Sequence, residues 1–553
     1  MAVLTSTDKK TTSRRTRLLR ENLVAYGLLS PAMILIFIFG IFPVGFAFFV
    51  SLYRWRRFPD DYLGMDHYLR ALGDFAYILF FWLAIGALVY ATSLLLQLWR
   101  TGAQRGKALA YLVPGGVTAA ALLTFVNWMG ILLPIIINIP QQIRGQERVP
   151  GIFIQALFAS FQVPEAAVMG NTFLALLIGC LVLSNLWQRV IGGEKWDSYL
   201  LWGTAVIFVG GCGALVLSLT LDTIGIGIET ARAAGDSLPI WSQIILISAG
   251  VGMLGAAYVV WTRAGRQTVS DRRFVFQIGA AILLMVGGYL LITQLPTALT
   301  NADRNVMSGF GITVLFVLGT VPFQLGIGLL LAYLLFQKIR AKSLFRVVYF
   351  IPYVMPFVAT SMVFNIIFGH RSLSLMNQVL TTLGLPPQKW LLEPTGILQL
   401  IFPAVPDSLA GPSLALIVIM IYTTWTYIGY DTAIFLAGLG NVPNDVYEAA
   451  RIDGANSWQM FRRITLPLLS PTTFFLSLIA IIGTFQAFTQ IWILRSPAAQ
   501  SSVDTLGVYI FETVQSGDPN MGYGSAMSFV LFGVILLLTI FQNRIAGKQV
   551  FYG

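Results

Sequence analysis

The sequence predicts an all-α polytopic membrane protein of about twelve transmembrane helices. Hydrophobic residues make up 56% of the 553 and charged residues only 11%, whereas a soluble domain carries roughly a quarter charged. Mean hydropathy is +0.76. Many windows run to roughly 20 apolar residues, the length at which a helix crosses a bilayer.

Apolar runs place spans at 25–52, 76–98, 109–139, 168–192, 199–221, 237–261, 274–294, 309–336, 345–369, 413–438, 470–493 and 524–542. The first is too long for a signal-peptide core and lacks a small-x-small cleavage site, so it reads as a retained span. The third contains Pro114 and Pro134, which predicts a kink or a partly re-entrant path. The longest non-cytoplasmic connections, 140–167, 370–412 and 494–523, are too short for a separate soluble domain.

The net charge is +11. In a soluble protein this would point to nucleic acid, but here the basic residues gather on one set of loops. With the N-terminus inside, "WRTGAQRGK", "TRAGRQTVSDRR" and "KIRAKSLFR" all fall on the cytoplasmic side. An even span count puts both termini there. The basic tail "KKTTSRRTRLLREN" is expected in the cytoplasm as well. "RWRR" at 54–57 is the exception, since it follows the first span on the outer side.

Catalytic and metal chemistry find little to work with. Cys180 and Cys212 sit in apolar runs and read as small core residues. His67 and His370 lie far apart in expected loops, so no catalytic triad, catalytic residue or metal site is expected, and no cofactor. No G-x-x-x-x-G-K-[ST] loop occurs, so ATP is not bound in that manner. A polytopic enzyme would show loop-borne Asp or His clusters. A secondary transporter would show several intramembrane carboxylates, and only Asp431 clearly qualifies.

Asp431 stands in "YTTWTYIGYDTAIFLAGLG" (422–440), about two turns from the end of its span and so roughly 10 Å deep. An ionised carboxylate facing lipid at that depth costs a few kcal/mol, so a cavity or a protein partner is expected beside it. Trp425, Tyr427 and Tyr430 precede it. Their flat faces and polar edges suit sugar rings. These four residues are the expected substrate pathway or inner gate, with helix–helix packing as the alternative role.

The most informative stretch is "NVPNDVYEAARIDGANSWQMFRRITLPLLSP", polar, glycine-broken and cytoplasmic under this topology. Pro443 suits the first turn of a helix. Ala449 and Ala450 offer a small-residue face. Gly454 permits a turn, and Ser457 is placed to cap a second helix in which Trp458, Phe461 and Ile464 recur at helical spacing. Such a helix–turn–helix is either an interfacial connector on lipid headgroups or a knob for a cytoplasmic partner.

"YEAARIDGANSWQMFRRITLPLLSP" closely resembles the EAA loop of binding-protein-dependent ABC importer permeases, through Glu448, Ala449, Ala450, Asp453, Gly454, Ala455, Leu466 and Pro467. "DTAIFLAGLGNVPNDVYEAA", "LFRVVYFIPYVMPFVATSMVFNIIFG" and "MGYGSAMSFVLFGVILLLTIFQNR" resemble the carbohydrate subfamily that includes the maltose and glycerol-3-phosphate permeases. The resemblance covers 305–553 well, and the first span with "GMDHYLRALGD" (64–74) more loosely. It implies a permease subunit, not itself an enzyme, in a prokaryotic plasma membrane. It further implies a second homologous permease, a cytoplasmic ABC ATPase dimer and an extracellular solute-binding protein as partners, besides membrane lipid, with no nucleic acid. The substrate implied is a sugar or related polyol. The EAA segment would act as the coupling helix, docking in the ATPase and moving as a lever.

Two departures stand out. The family's Gly-Gly-Pro after the penultimate span is replaced by "LRSPAAQSSVDTL" (494–506). The expected division is a tail and first helix at 1–75, an inserted membrane-embedded region at 76–300, and a permease core at 301–553 with the EAA loop at 443–467.

Overall fold

A computed structural model describes residues 14–56, 58–101, 105–144, 151–192, 195–235, 239–265, 270–337 and 339–545. The first thirteen residues of the basic tail, Arg57, Lys338 and parts of the basic loops lie outside the described residues. Among the described residues, ten helices are long and apolar enough to cross a membrane, or twelve when each of two bent pairs counts as one span.

The first span, α1 (Val24–Ser51), is mostly uncovered and meets the rest of the molecule near its end, where Phe48 packs edge-on against Phe529 at 5.4 Å. A short antiparallel hairpin follows, β1 (Tyr53–Trp55) with β2 (Pro59–Tyr62). It accounts for the basic exception after the first span. Trp55 is buried against Phe46 and Phe49, at 5.8 and 6.2 Å. Arg54 and Arg56 point outward to Asp61 and Asp518, each at 3.4 Å. These pairs are exposed and contribute little stability, so the tryptophan holds the hairpin. Next comes α2 (Asp66–Leu72). His67 lies buried within this helix rather than in a loop, with Nε2 3.1 Å from the Tyr53 carbonyl.

Among the described residues, eight helices lie between Gly73 and Ala302: α3 (Phe75–Arg100), a six-residue helix (Arg105–Ala110), α4 (Leu112–Gln142), α5 (Ile152–Gln162), α6 (Pro164–Ile191), α7 (Trp196–Ala233), α8 (Ile240–Ala264) and α9 (Ser270–Ala298). They pack chiefly on one another, α3 on α7, α4 on α6 and α7, and α8 on α9. Glycines set these contacts. A Cβ at Gly115 would lie 2.6 Å from the Gly203 carbonyl carbon, and one at Gly287 2.9 Å from the Gly250 oxygen. Close backbone approach of this kind replaces the missing hydrophobic drive between helices in lipid. The third expected span is one continuous helix through Pro134 and Pro140, not a re-entrant path. The fifth, placed at 199–221, extends to 38 residues, too long for the hydrocarbon layer alone. Both cysteines are free.

The two ends of this region meet. Gly73 adopts φ +61°, and a Cβ there would sit 2.9 Å from the Ala302 nitrogen. The Asp303 N–H donates to the Arg70 carbonyl at 3.0 Å.

The core begins with α10 (Arg304–Phe336). Its cap residue Asp303 accepts from the Asn305 N–H at 2.9 Å and from the Tyr509 and Tyr523 hydroxyls at 3.1 and 2.8 Å. Arg70 lies over the Tyr523 ring at 4.2 Å. The next span is broken: α11 (Lys342–Val354) and α12 (Phe357–Ile367) meet at 98°, where Pro356 cannot continue the ladder. A capping segment follows with α13 (Leu375–Thr382). Asn377 is its hub, wholly buried. It donates to the Gly369, Arg371 and Gln388 carbonyls and accepts from the Gln388 N–H and the Trp390 indole, the last at 2.7 Å.

The most buried span is α14 (Leu414–Gly440), which lies along α10. Gly429 lets α11 press its Tyr349 carbonyl against the α14 backbone. Then come α15 (Asn444–Ile452), α16 (Ser457–Leu468), α17 (Ser470–Phe485), α18 (Thr489–Leu494), α19 (Leu506–Gln515) and α20 (Met521–Ile545). The expected span at 470–493 thus breaks after Phe485. Beyond it Arg495 binds Asp504 at 3.0 Å and Glu512 at 2.7 Å and stacks over Trp492 at 3.7 Å, tying this segment to α19.

Candidate functional site: the coupling loop and the aromatic face of α14

The segment 443–467 forms a two-helix knob. Pro443 precedes α15, which ends where Gly454 takes φ +80°. Few side chains adopt that conformation without strain. The Ala455 N–H reaches back to the Ala450 carbonyl at 2.9 Å and closes the turn. The second helix is capped one residue earlier than its sequence indicates. Asn456, not Ser457, accepts from the Gln459 N–H, and the Gln459 side chain accepts from the Asn456 N–H, at 2.8 and 2.9 Å. This reciprocal pair satisfies two donors that a helix start leaves orphaned.

The knob is seated on the core by aromatics. Phe461 meets Tyr333 at 4.8 Å, Tyr447 meets Phe336 at 6.4 Å, and the Tyr447 hydroxyl lies 3.2 Å from Thr465 Oγ1. Tyr333 and Phe336 belong to the last turn of α10, so the knob is seated on the end of a core span. Ala450 is buried, while Glu448, Ala449, Asp453 and Gly454 are exposed and Ala455 is half-buried. Two apolar side chains also face outward: Ile452 is 86% exposed and Trp458 65%. The helical spacing of Trp458, Phe461 and Ile464 reads as a buried face; Phe461 and Ile464 are partly buried, whereas Trp458 turns outward. Ile452 gives no sequence signal, because a lone isoleucine in a short amphipathic helix reads as core.

The second set of residues divides. Trp425, Tyr427 and Tyr430 gather with aromatics of the broken span. Tyr430 stacks on Tyr353 at 4.8 Å, Tyr427 meets Tyr353 at 5.8 Å and Phe357 at 6.3 Å, and Trp425 meets Phe364 at 5.2 Å. Trp425 remains 38% exposed. Tyr353 and Phe364, which sequence reasoning did not single out, complete this face. A cleft of about 530 Å³ opens beside it, between α10, α11 and α14, lined among others by Leu335, Arg346, Phe350, Thr432 and Leu436. Asp431 is turned away from the open side. It is 2% exposed and packs against Gly328 of α10, where a Cβ would lie 2.9 Å from the Asp431 Cβ.

Comparison with known proteins is consistent with this arrangement. The family described as "Binding-protein-dependent transport system inner membrane component" matches residues 324–549, which span the knob, the broken span and α14. The arabinooligosaccharides transport system permease protein AraP of Bacillus subtilis is 32% identical over 239 residues, 43% of this chain and 70% of AraP. The lactose transport system permease protein LacF of Rhizobium radiobacter is 31% identical, over 43% of this chain and 74% of LacF. The sn-glycerol-3-phosphate transport system permease protein UgpA of Agrobacterium fabrum is 30% identical, over 46% of this chain and 79% of UgpA. More than half of the chain lies outside each of these matches. With ten to twelve candidate membrane spans among the described residues and relatives 30–32% identical over 70–79% of their own length, the chain belongs to the family of binding-protein-dependent transport system inner membrane components.

Proposed function

We propose that this permease subunit forms half of the translocation path of an ATP-driven importer for a sugar or related polyol. An extracellular binding protein delivers the substrate, a second homologous permease supplies the other half, and ATP is hydrolysed on a separate cytoplasmic ATPase dimer. The observation that carries the reading is the exposed knob, with its left-handed turn at Gly454, mounted on the last turn of α10. A rigid short helix pair transmits a displacement, and a solvated polar loop does not. The substrate class is supported by relatives whose names specify arabinooligosaccharides, lactose and glycerol 3-phosphate, and by the half-exposed aromatic rings of Trp425, Tyr427 and Tyr430, suited to sugar faces. Asp431 stands behind these rings as a buried polar element at the inner gate.

Both termini are assigned to the cytoplasm, with the knob on the same side. The region 76–300 is assigned as an accessory membrane unit beside the transport core. Its ends meet at Gly73 and Ala302, and its helices pack chiefly among themselves.

The test is co-purification with ATPase subunits, followed by substrate-stimulated ATP hydrolysis and uptake in proteoliposomes. Gly454→Pro and Glu448→Lys are expected to insert normally yet weaken ATPase association or uncouple hydrolysis from uptake. Normal association and uptake in both variants overturns the coupling role. Trp425→Ala is expected to reduce uptake far more than assembly, and unchanged uptake removes that ring from the path.

A further inference from the structure

The cleft between α10, α11 and α14 has an apolar body and a single charge. Leu335 of α10, Val347 and Phe350 of α11, and Ala433 and Leu436 of α14 line its volume of about 530 Å³, and Arg346 is the charged residue on its wall. Val347, Phe350 and Ala433 are exposed, so apolar surface there is left uncovered by the chain. Arg346, Tyr349 and Phe350 stand at i, i+3 and i+4 and so share one face of α11. α11 is held against α14 where the Tyr349 carbonyl rests on Gly429, which places Arg346 one turn from that contact.

Arg346 is exposed and, among the described residues, forms no ion pair. Other cations share this end of the bundle. Arg340 and Lys342 lie between the end of α10 and the first turn of α11, and Arg462 and Arg463 follow Phe461, which packs on Tyr333 two residues before Leu335. None of these four forms an ion pair among the described residues either. The carboxylates at this end, Asp445, Glu448 and Asp453, belong to the exposed knob. A ligand that meets both features of the cleft is amphiphilic: an apolar chain for the walls and an anionic head for the guanidinium, whose planar fork suits phosphate oxygens two at a time.

We propose that this cleft binds one anionic phospholipid of the adjoining leaflet, with an acyl chain along Val347, Ala433 and Leu436 and the phosphate on Arg346. Basic pockets between membrane helices on the cytoplasmic side take anionic head groups in this way. The volume falls within the roughly 300–1,000 Å³ of small-molecule sites. Other occupants satisfy only half of the surface. A soluble anion leaves the apolar walls uncovered, an apolar partner helix leaves Arg346 and its neighbours without counter-charge, and a zwitterionic lipid brings a cation of its own to an end that already holds several. The site is independent of the substrate reading; only the choice of the cytoplasmic leaflet rests on the topology assigned above.

The experiment is thermal unfolding of the purified full-length chain in detergent, with added phosphatidylglycerol, phosphatidylcholine or inorganic phosphate. The wild type is expected to unfold about 2–4 °C higher with phosphatidylglycerol than with either of the others. Arg346→Gln removes the charge and Ala433→Phe fills the cleft while keeping the charge. Both positions are exposed, so both variants should fold, and both should lose the phosphatidylglycerol effect. Native mass spectrometry is the second readout, with one phosphatidylglycerol retained on the wild type and none on either variant. Equal stabilisation by phosphatidylcholine would mean that the head group is not read, and the same shift with phosphate alone would mean a soluble-anion site; each overturns the proposal. An effect retained in both variants places the lipid elsewhere and overturns it too. In the assembly co-purified with its partner subunits the effect should persist, and its loss there would mean that a partner subunit fills the cleft in place of lipid.

Discussion

Gly429 and Asp504 show how single residues carry local constraints. Gly429 lies where the α11 backbone presses the Tyr349 carbonyl into α14, and a methyl there would overlap that oxygen. Gly429→Ala is expected to cost about 1–3 kcal/mol through backbone displacement, read as a lower unfolding temperature. Gly440, with nothing within 4 Å of an added Cβ, serves as control: Gly440→Ala should be neutral or slightly stabilising. Asp504 lies between the last two spans. Burial pushes its carboxyl from 3.8 up to about 6, with Arg495 pulling it down and Glu512 pushing it up. A folded-state pKa above the unfolded one stabilises when the group is protonated. Its contribution is therefore present below about pH 4 and lost as pH rises through about 6. Unfolding temperatures measured from pH 4 to pH 8 should show the wild type gaining on Asp504→Asn as pH falls. A constant gap would contradict this.

At the scale of elements, two junctions decide how helices are held. The first is the Asp303 clasp, which caps α10 and accepts from hydroxyls of α19 and α20. Asp303→Leu removes a helix cap and strands two tyrosine hydroxyls, a loss of about 2–4 kcal/mol. A large fall in unfolding temperature is the expected outcome, with secondary structure retained by circular dichroism. The second junction is the coupling knob. Ile452 is 86% exposed, so Ile452→Asp should leave the unfolding temperature unchanged. If the knob docks in the ATPase, the same change should weaken association about tenfold or more, as expected for a buried apolar anchor at an interface. Titration of labelled ATPase against the reconstituted chain measures this.

For the whole molecule, the question is whether the inserted helices are separable. The chain leaves the core at Gly73 and returns at Ala302, with the two positions in backbone contact. An even number of spans lies between them, so removal preserves the orientation of everything that follows. A variant lacking 76–300, rejoined across this junction, is expected to insert, bind its ATPase and retain measurable uptake in proteoliposomes. A folded variant that assembles with all partners yet shows no flux would instead place part of the path in the inserted region. The early turns of α3 also pack against the core, through Phe75, Leu79 and Phe80, so some loss of thermal stability is expected alongside.

The sequence by itself determined the fold class, the approximate spans and the helix–turn–helix at 443–467. Hydropathy along the chain is a one-dimensional quantity set by the bilayer thickness, and the knob is closed by local devices: a proline before the helix, Gly454 at the turn, and an Asn456–Gln459 capping pair. Tertiary structure alone decided which way each span faces. In lipid, the outer and inner sides of a helix are both apolar, so amphipathic periodicity carries little of that information. Asp431 was legible as a charge at depth, but its burial against Gly328 follows from the packing of α10 on α14. The break after Phe485, the meeting of Gly73 with Ala302, and the outward turn of Ile452 likewise depend on neighbours distant in sequence. Each is a contact between segments, and no local pattern in the chain encodes it.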